Sequence, residues 1–198
     1  MRKIIDPDQD LQSRFRNSYS GRLDLEPLRA FCRKYGERIE FSRRSYFQRT
    51  GERSIRLAYI ERGGVRYLHA AADGRQRTVG FGFEGGFAVD WQAFVRRGEG
   101  MLDIRMLADS TLLVVDSERF FEFMDGNDRL RCRISEGLFA TVSDSLMDFY
   151  LLSPEQRYLK FMARNPRISE RLSMREIASF IGIEPESLSR IRRRLCGR

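Results

Sequence analysis

The chain has 198 residues, 36 of them basic and 28 acidic, for a formal net charge of +8. That length accommodates one or two domains with a real core, and 41% hydrophobic with 12% aromatic residues excludes a disordered chain. No apolar run approaches the roughly 20 residues that cross a bilayer, and the start Met1-Arg2-Lys3-Ile4-Ile5-Asp6-Pro7-Asp8 turns acidic before a signal-peptide core forms. A soluble, cytoplasmic protein with no membrane partner is expected.

Cys32, Cys132 and Cys196 are too few and too dispersed for a disulfide framework, a CxxC knuckle or a four-thiolate iron–sulfur cluster. The single histidine, His69, removes most His-based metal sites. As a haem ligand it competes with the plainer reading of a packed or exposed ring. No paired nucleophile and base is found, so no catalytic residue, metal or cofactor is expected, and the chain does not read as an enzyme.

Residues 1–24 read as a polar arm. In the next stretch Leu28, Phe31 and Cys32 fall at i, i+3 and i+4, the spacing of a helix that stops near Gly36. From Ile39 to Val115 the period becomes two. Ile55–Ile60, Val65–Leu68, Arg77–Phe81 and Thr111–Val115 read as strands, and ten of the 16 glycines lie between Gly51 and Gly100. Turns at this spacing indicate an antiparallel sandwich or barrel. Arg62-Gly63-Gly64-Val65 and Ala72-Asp73-Gly74-Arg75 read as hairpin turns. Gly80, Gly82 and Gly85 do not open a helix, which argues against a dinucleotide-binding fingerprint. Trp91 and Phe94 are candidates either for a pocket lid or for ordinary core.

A helical period returns over 128–152. Cys132, Phe139, Val142, Leu146 and Phe149 form one stripe, broken by Ser135, with Leu130, Ile134 and Leu138 on its flank. Two apolar faces on one helix call for two partners, plausibly the sheet and the same helix of a second subunit; burial in a single chain's core is the alternative. Ser153-Pro154-Glu155-Gln156 opens another helix with a capping box, and Asn165-Pro166 ends it.

Charge is concentrated at the C-terminal end. Residues 153–198 hold 11 basic and 5 acidic residues, whereas residues 1–152 hold 25 and 23. A basic segment behind a nearly neutral body points to a polyanion. Of the basic residues 33 are arginine. A GC-rich genome would favour arginine codons, but it would not place them unevenly. Ser173-Met174-Arg175-Glu176 is a capping box, and Ile177, Ala178 and Ile181 share a face. Gly182 breaks the helix, and Ile183 anchors the turn. A second helix follows near Pro185 with Leu188, Ile191 and Leu195 inward. This is a helix-turn-helix pattern. Its outer face carries Glu186, Ser189 and Arg190, suited to base edges. Arg192, Arg193 and Arg194 suit phosphates, and Ser187 and Arg175 are further DNA-binding candidates.

The stretch from Ser153-Pro154-Glu155-Gln156-Arg157-Tyr158 to Ser187-Leu188-Ser189-Arg190-Ile191-Arg192 resembles the C-terminal winged helix of Crp/Fnr-family regulators, of the variety common in Bacteroidetes. Upstream, Gly51-Glu52, the run Tyr59-Ile60-Glu61-Arg62-Gly63, and Asp73-Gly74-Arg75 followed by Phe81-Gly82-Phe83-Glu84-Gly85-Gly86-Phe87 resemble the family in order. The resemblance spans about residues 25–195. It implies an α+β chain: a jelly-roll-like antiparallel β-roll of the cyclic-nucleotide-binding type (25–127), a dimerisation helix (128–152) and a winged helix-turn-helix (153–198). It also implies a homodimer on palindromic double-stranded DNA, with RNA polymerase a further partner to consider. Glu186, Ser189 and Arg190 match the residues with which Fnr-like members read bases.

Nucleotide-binding members carry a Gly-Glu pair and, about ten residues on, an Arg-Ser or Arg-Thr pair. Here Val89-Asp90 and Gly100-Met101 stand in those places, so the carboxylate remains as Asp90 and the phosphate arginine is missing. Arg96 or Arg97 replaces it only if the loop before Gly98 folds inward. The expectation is no tight cyclic AMP binding, in a pocket occluded by Phe87, Trp91 and Met101 or open to a less anionic, unidentified effector. A ligand- or protein-binding module whose basic tail docks a protein or RNA is the alternative to a regulator.

Overall fold

The computed structural model describes residues 25–71, 74–164 and 168–196. The expected arm, Asp73 of the second turn and the Asn165-Pro166 helix stop lie outside the described residues.

Helix α1 (Glu26–Tyr35) buries Leu28, Phe31 and Cys32, the expected face, and ends where the Gly36 N–H bonds to the Cys32 carbonyl. Among the described residues eight strands follow: β1 (Glu37–Phe41), β2 (Tyr46–Gln48), β3 (Arg56–Arg62), β4 (Gly64–Ala70), β5 (Gln76–Phe83), β6 (Phe87–Ala88), β7 (Asp103–Met106) and β8 (Ser110–Asp116). They form two sheets, β1-β8-β3-β6 and β2-β7-β4-β5, and every pairing is antiparallel. Periodicity located β3, β4, β5 and β8. It did not single out the other four, because β1 is largely charged (Glu37-Arg38-Ile39-Glu40-Phe41) and β2, β6 and β7 are too short to show a period.

The Gly63-Gly64 turn corrects an expectation. β3 pairs with β6 and β8, while β4 pairs with β5 and β7, so the chain turns a corner between sheets instead of closing a hairpin. Gly63 has φ +91, and a Cβ there would lie 2.2 Å from the Ser110 hydroxyl. Gly-Gly announced the positive φ but not the partner of the strand that follows. The turn at Gly74 does join a hairpin, since β4 and β5 pair from Gly64↔Phe83 to Ala70↔Gln76.

Strand β8 reads as a continuous apolar run because both its faces are covered. Leu112 and Val114 point between the sheets with Phe47, Ile60, Val65, Ile104 and Met106. Leu113 and Val115 point outward, under α1, α2 (Trp91–Arg96), α3 (Ser117–Met124) and the head of α4 (Asp128–Leu151), where Phe31, Phe94, Phe120, Leu130 and Ile134 complete a second core. Trp91 and Phe94 belong to this outer cluster, packed around Phe120.

The rest of the chain is α5 (Pro154–Arg164), α6 (Ile168–Arg171), α7 (Met174–Ile181) and α8 (Pro185–Cys196). Their core is Tyr158, Phe161, Leu172, Ile177, Ala178, Ile181, Leu188 and Ile191. No strand occurs among the described residues of 153–198. One helical turn, α6, stands between α5 and α7. These helices sit on the outer face of the second sheet. Phe81 and Phe83 point out to them, with the Phe81 ring 5.4 Å from that of Phe180 and 6.0 Å from that of Phe161. The alternate residues Gly80 and Gly82 face inward, where the Tyr67 ring lies against Gly80.

Candidate nucleic-acid interface

The helix-turn-helix is built as the local chemistry dictates. Ser173 Oγ accepts from the Glu176 N–H at 3.3 Å and Glu176 Oε2 accepts from the Ser173 N–H at 2.8 Å, a closed capping box at the head of α7. Gly182, at φ +76, ends α7 in the left-handed conformation, and the Ile183 N–H reaches back 3.0 Å to the Ala178 carbonyl. α8 then buries Leu188 and Ile191. The opposite face leaves Glu186, Ser187, Ser189, Arg190, Arg192 and Arg193 exposed, with Arg175 exposed on α7. Glu186 and Arg190 are one turn apart.

The arginine run is not uniform. Arg194 is paired with Glu155 of α5 at 2.9 Å while its side chain stays largely exposed. Arg192 Nη1 lies 2.8 Å from the Met174 sulfur. Arg190 and Arg193 carry their charge outward.

Sequence reasoning missed the arginines that seat these helices, because nothing in local spacing distinguishes them. Arg171 donates to both Glu84 carboxylate oxygens at 2.6 and 2.9 Å and to the Gly63 carbonyl at 2.7 Å, with its guanidinium over the Phe83 ring. Burial alone would raise the Glu84 pKa, but the Arg171 bonds and the Gly63 N–H outweigh it and hold the carboxyl below its ordinary value. Arg66 donates to Thr78 Oγ1 at 2.8 Å and pairs with Glu176 at 3.5 Å, and the Thr78 N–H donates to Ser179 Oγ at 2.9 Å. Burial lowers the Arg66 pKa, and Glu176 partly offsets that.

In the cassette region Asp90 is 4% exposed. One of its oxygens accepts from the Ala93 N–H at 3.4 Å and the other from the Met101 and Leu102 N–H groups at 2.7 and 3.1 Å. The carboxylate caps α2 and ties down the 98–102 loop. Met101 is 49% exposed. Phe87 lies edge-on to Tyr59, and Trp91 edge-on to Phe120. Tyr67 turns into the roll and donates its hydroxyl to the Phe87 carbonyl at 2.7 Å, where burial pushes its pKa up to about 12. Arg96 is exposed, and Arg97, at φ +52, stacks its guanidinium 4.9 Å from the Phe121 ring, on the outer cluster away from the roll interior. Neither arginine enters the place of the missing phosphate cation.

Along α4 only Leu130 and Ile134 are buried. Phe139, Val142 and Leu146 are 75%, 65% and 50% exposed. Phe149, 54% exposed, stays on the stripe and also meets the helix-turn-helix: Arg157 lies over its ring at 4.6 Å, and its edge packs on Gly182, where a Cβ would come within 3.0 Å. Tyr150, one turn beyond Leu146, is exposed as well and widens the stripe.

Burial pushes the Cys32 thiol up to about 12, which leaves it inert, whereas Cys132 and Cys196 are exposed. His69 is exposed at the end of β4. Among the described residues no three of His, Cys, Asp and Glu gather as metal ligands would, and no helix is long and apolar enough to cross a membrane.

No family model matches the sequence, and no curated protein matches it. Solved structures do. The c-di-GMP-responsive global regulator CLP of Xanthomonas campestris aligns with a TM-score of 0.66 at 18% identity, over 88% of this chain and 92% of that one. FixK2 of Bradyrhizobium japonicum gives 0.68 at 15% identity, over 82% and 85%. A protein of Eubacterium rectale described as a Crp/Fnr-family transcriptional regulator gives 0.65 at 15%, over 91% and 88%. The chain has the Crp/Fnr-type fold.

Proposed function

We propose that this chain of Crp/Fnr-type fold is a homodimeric, sequence-specific DNA-binding transcription regulator with a sensory β-roll. The observation that carries the reading is the outer face of α8. A helix whose inner residues are buried presents Glu186, Ser189 and Arg190 to solvent with Arg193 beyond them, a base-reading set followed by a phosphate contact. The exposed stripe on α4 supports the dimer, since soluble monomers rarely leave such a patch uncovered. A parallel pair through α4 brings two recognition helices onto one duplex about one turn, roughly 34 Å, apart. Domains divide at 127/128 and 152/153 in this reading.

Selection of bound duplexes from a random pool tests the proposal. A two-fold symmetric site should emerge, bound orders of magnitude more tightly than random duplex. Recovery of unrelated sequences with a steep salt dependence would instead favour a basic tail that docks a protein or RNA.

The β-roll, in the same reading, does not respond to cyclic AMP. Its cassette carboxylate is consumed by three backbone N–H groups, and a phosphate buried there would lack a cation, which is strongly unfavourable. Calorimetry with cyclic AMP at micromolar concentrations should show no binding heat. A saturable micromolar isotherm would overturn this part of the proposal and redirect attention to Arg96.

A further inference from the structure

We propose that Arg157 is the positioning residue that locks the recognition helix to the dimer helix, and so sets the half-site spacing the protein accepts. The inference rests on the DNA-binding reading above and adds what fixes its geometry.

The link between α4 and α5 is short. Leu152, the residue that ends α4, is extended at φ −101, ψ 138, and Ser153 already caps α5 by exchanging bonds with Gln156. Rotation about this link would swing the helices that follow, which the Arg171–Glu84 and Arg66–Glu176 pairs hold to the second sheet. Arg157, on the first turns of α5, spans it. Its Nη1 donates to the Phe149 carbonyl at 3.2 Å and to the Leu152 carbonyl at 3.0 Å, both at the C-terminal end of α4. Its Nε donates to the Ile181 carbonyl at 3.1 Å, the last residue of α7. One cation thus sits between two helix C-termini, where carbonyls lack intrahelical partners and the dipoles present negative charge. The planar donor fork reaches both ends at once, which a lysine ammonium on a flexible stem does not reproduce.

The Phe149 ring completes the lock. It lies under the Arg157 guanidinium and against Gly182, the turn that delivers the chain into α8. The same seam holds a largely buried ion pair between Asp148 of α4 and Lys160 of α5. The recognition helix is therefore referenced to the dimer helix through three carbonyls and one ring.

The lever is long enough to matter. α8 starts beside the link and its 12 residues run about 18 Å, so a rotation of about 10° at the link displaces its far end by roughly 3 Å, close to the rise of one base pair. Holding that angle is equivalent to choosing a spacing.

The experiment uses the full chain and duplexes that carry two copies of the selected half-site, with the distance between them varied one base pair at a time. The unmodified protein should prefer one spacing. In Arg157→Ala the ratio between preferred and neighbouring spacings should fall about tenfold or more. Affinity for a duplex with a single half-site should stay within about twofold, and sedimentation should still show a dimer. Arg157→Lys keeps the charge but not the fork and should give an intermediate ratio. If the alanine variant does not fold, the lysine variant decides by the same ratio. An unchanged spacing preference overturns the proposal. So does a parallel loss of single-half-site binding, which would make Arg157 a residue that only maintains the helix-turn-helix. If the unmodified chain shows no preference for any two-half-site duplex over random sequence, the DNA-binding reading itself fails, and that outcome is visible before a variant is made.

Discussion

Val142→Glu or Leu146→Glu should convert the protein to monomers and remove tight binding to a symmetric site. Both side chains are more than half or half exposed on the isolated chain, and in a dimer through α4 each would be buried together with its symmetry mate. Burying a Val or Leu contributes about 1.5–3 kcal/mol, so the two copies lost per substitution amount to several kcal/mol, and two glutamates facing each other add like-charge repulsion. A loss of ~4 kcal/mol raises the dissociation constant about a thousandfold, enough to take a micromolar sample from dimer to monomer. The roll and the helix-turn-helix do not depend on these residues, so their folding should survive. Because a linked pair of half-sites gains about 10²–10⁴ in avidity, the monomers should lose about that much on a full site and little on a half-site. Sedimentation of the unmodified protein as a monomer at micromolar concentration would contradict the assignment of the stripe.

Arg190→Ala should cost about 1–3 kcal/mol on the preferred site and relax selectivity at one base position, because a bidentate arginine–guanine contact is worth that much in discrimination. Arg193→Ala should instead weaken binding to all duplexes alike and reduce the salt slope by about one unit. The contrast follows from position. Arg190 stands one turn beyond Glu186 on the N-terminal half of α8, the part that enters a groove, whereas Arg193 lies toward the end. Arg194→Ala serves as an internal comparison. Its guanidinium is already paired with Glu155, so its loss should move the salt slope least of the three. An Arg190→Ala variant that keeps full site preference would remove the base-reading role.

Much of this architecture is legible in the sequence. Both capping boxes, the stop at Gly182 and the inward set Leu188 and Ile191 follow from rules that act within one or two helical turns, and each is realised at its expected residue. So are the centre of β8 and the extent of α4, where the apolar pattern is long and regular. The missing cassette arginine was equally plain, since the absence of a side chain type needs no fold to be seen.

What the sequence could not decide was everything that depends on which distant segment lies opposite. Gly63-Gly64 specifies a turn by its backbone freedom, yet whether that turn closes a hairpin or a corner depends on which strands β3 and β4 find, and those partners are tens of residues away. Phe149 shares the period of Phe139 and Leu146, but a period assigns a face and not its neighbours, and only the fold brings Gly182 and Arg157 against a ring that stays 54% exposed. Asp90 keeps the chemistry of a ligand-binding carboxylate, and the fold spends it on the Met101 and Leu102 N–H groups of its own loop. Arg66, Arg157 and Arg171 look like any of the chain's other arginines until helix ends, Glu84 and Glu176 converge on them. Local chemistry determines caps, periods and side-chain inventory because those interactions are made within a turn or two of chain; the partner of a face, a carboxylate or a guanidinium is set by packing between segments far apart in sequence, and that is decided only when the two sheets and the helix-turn-helix close on one another.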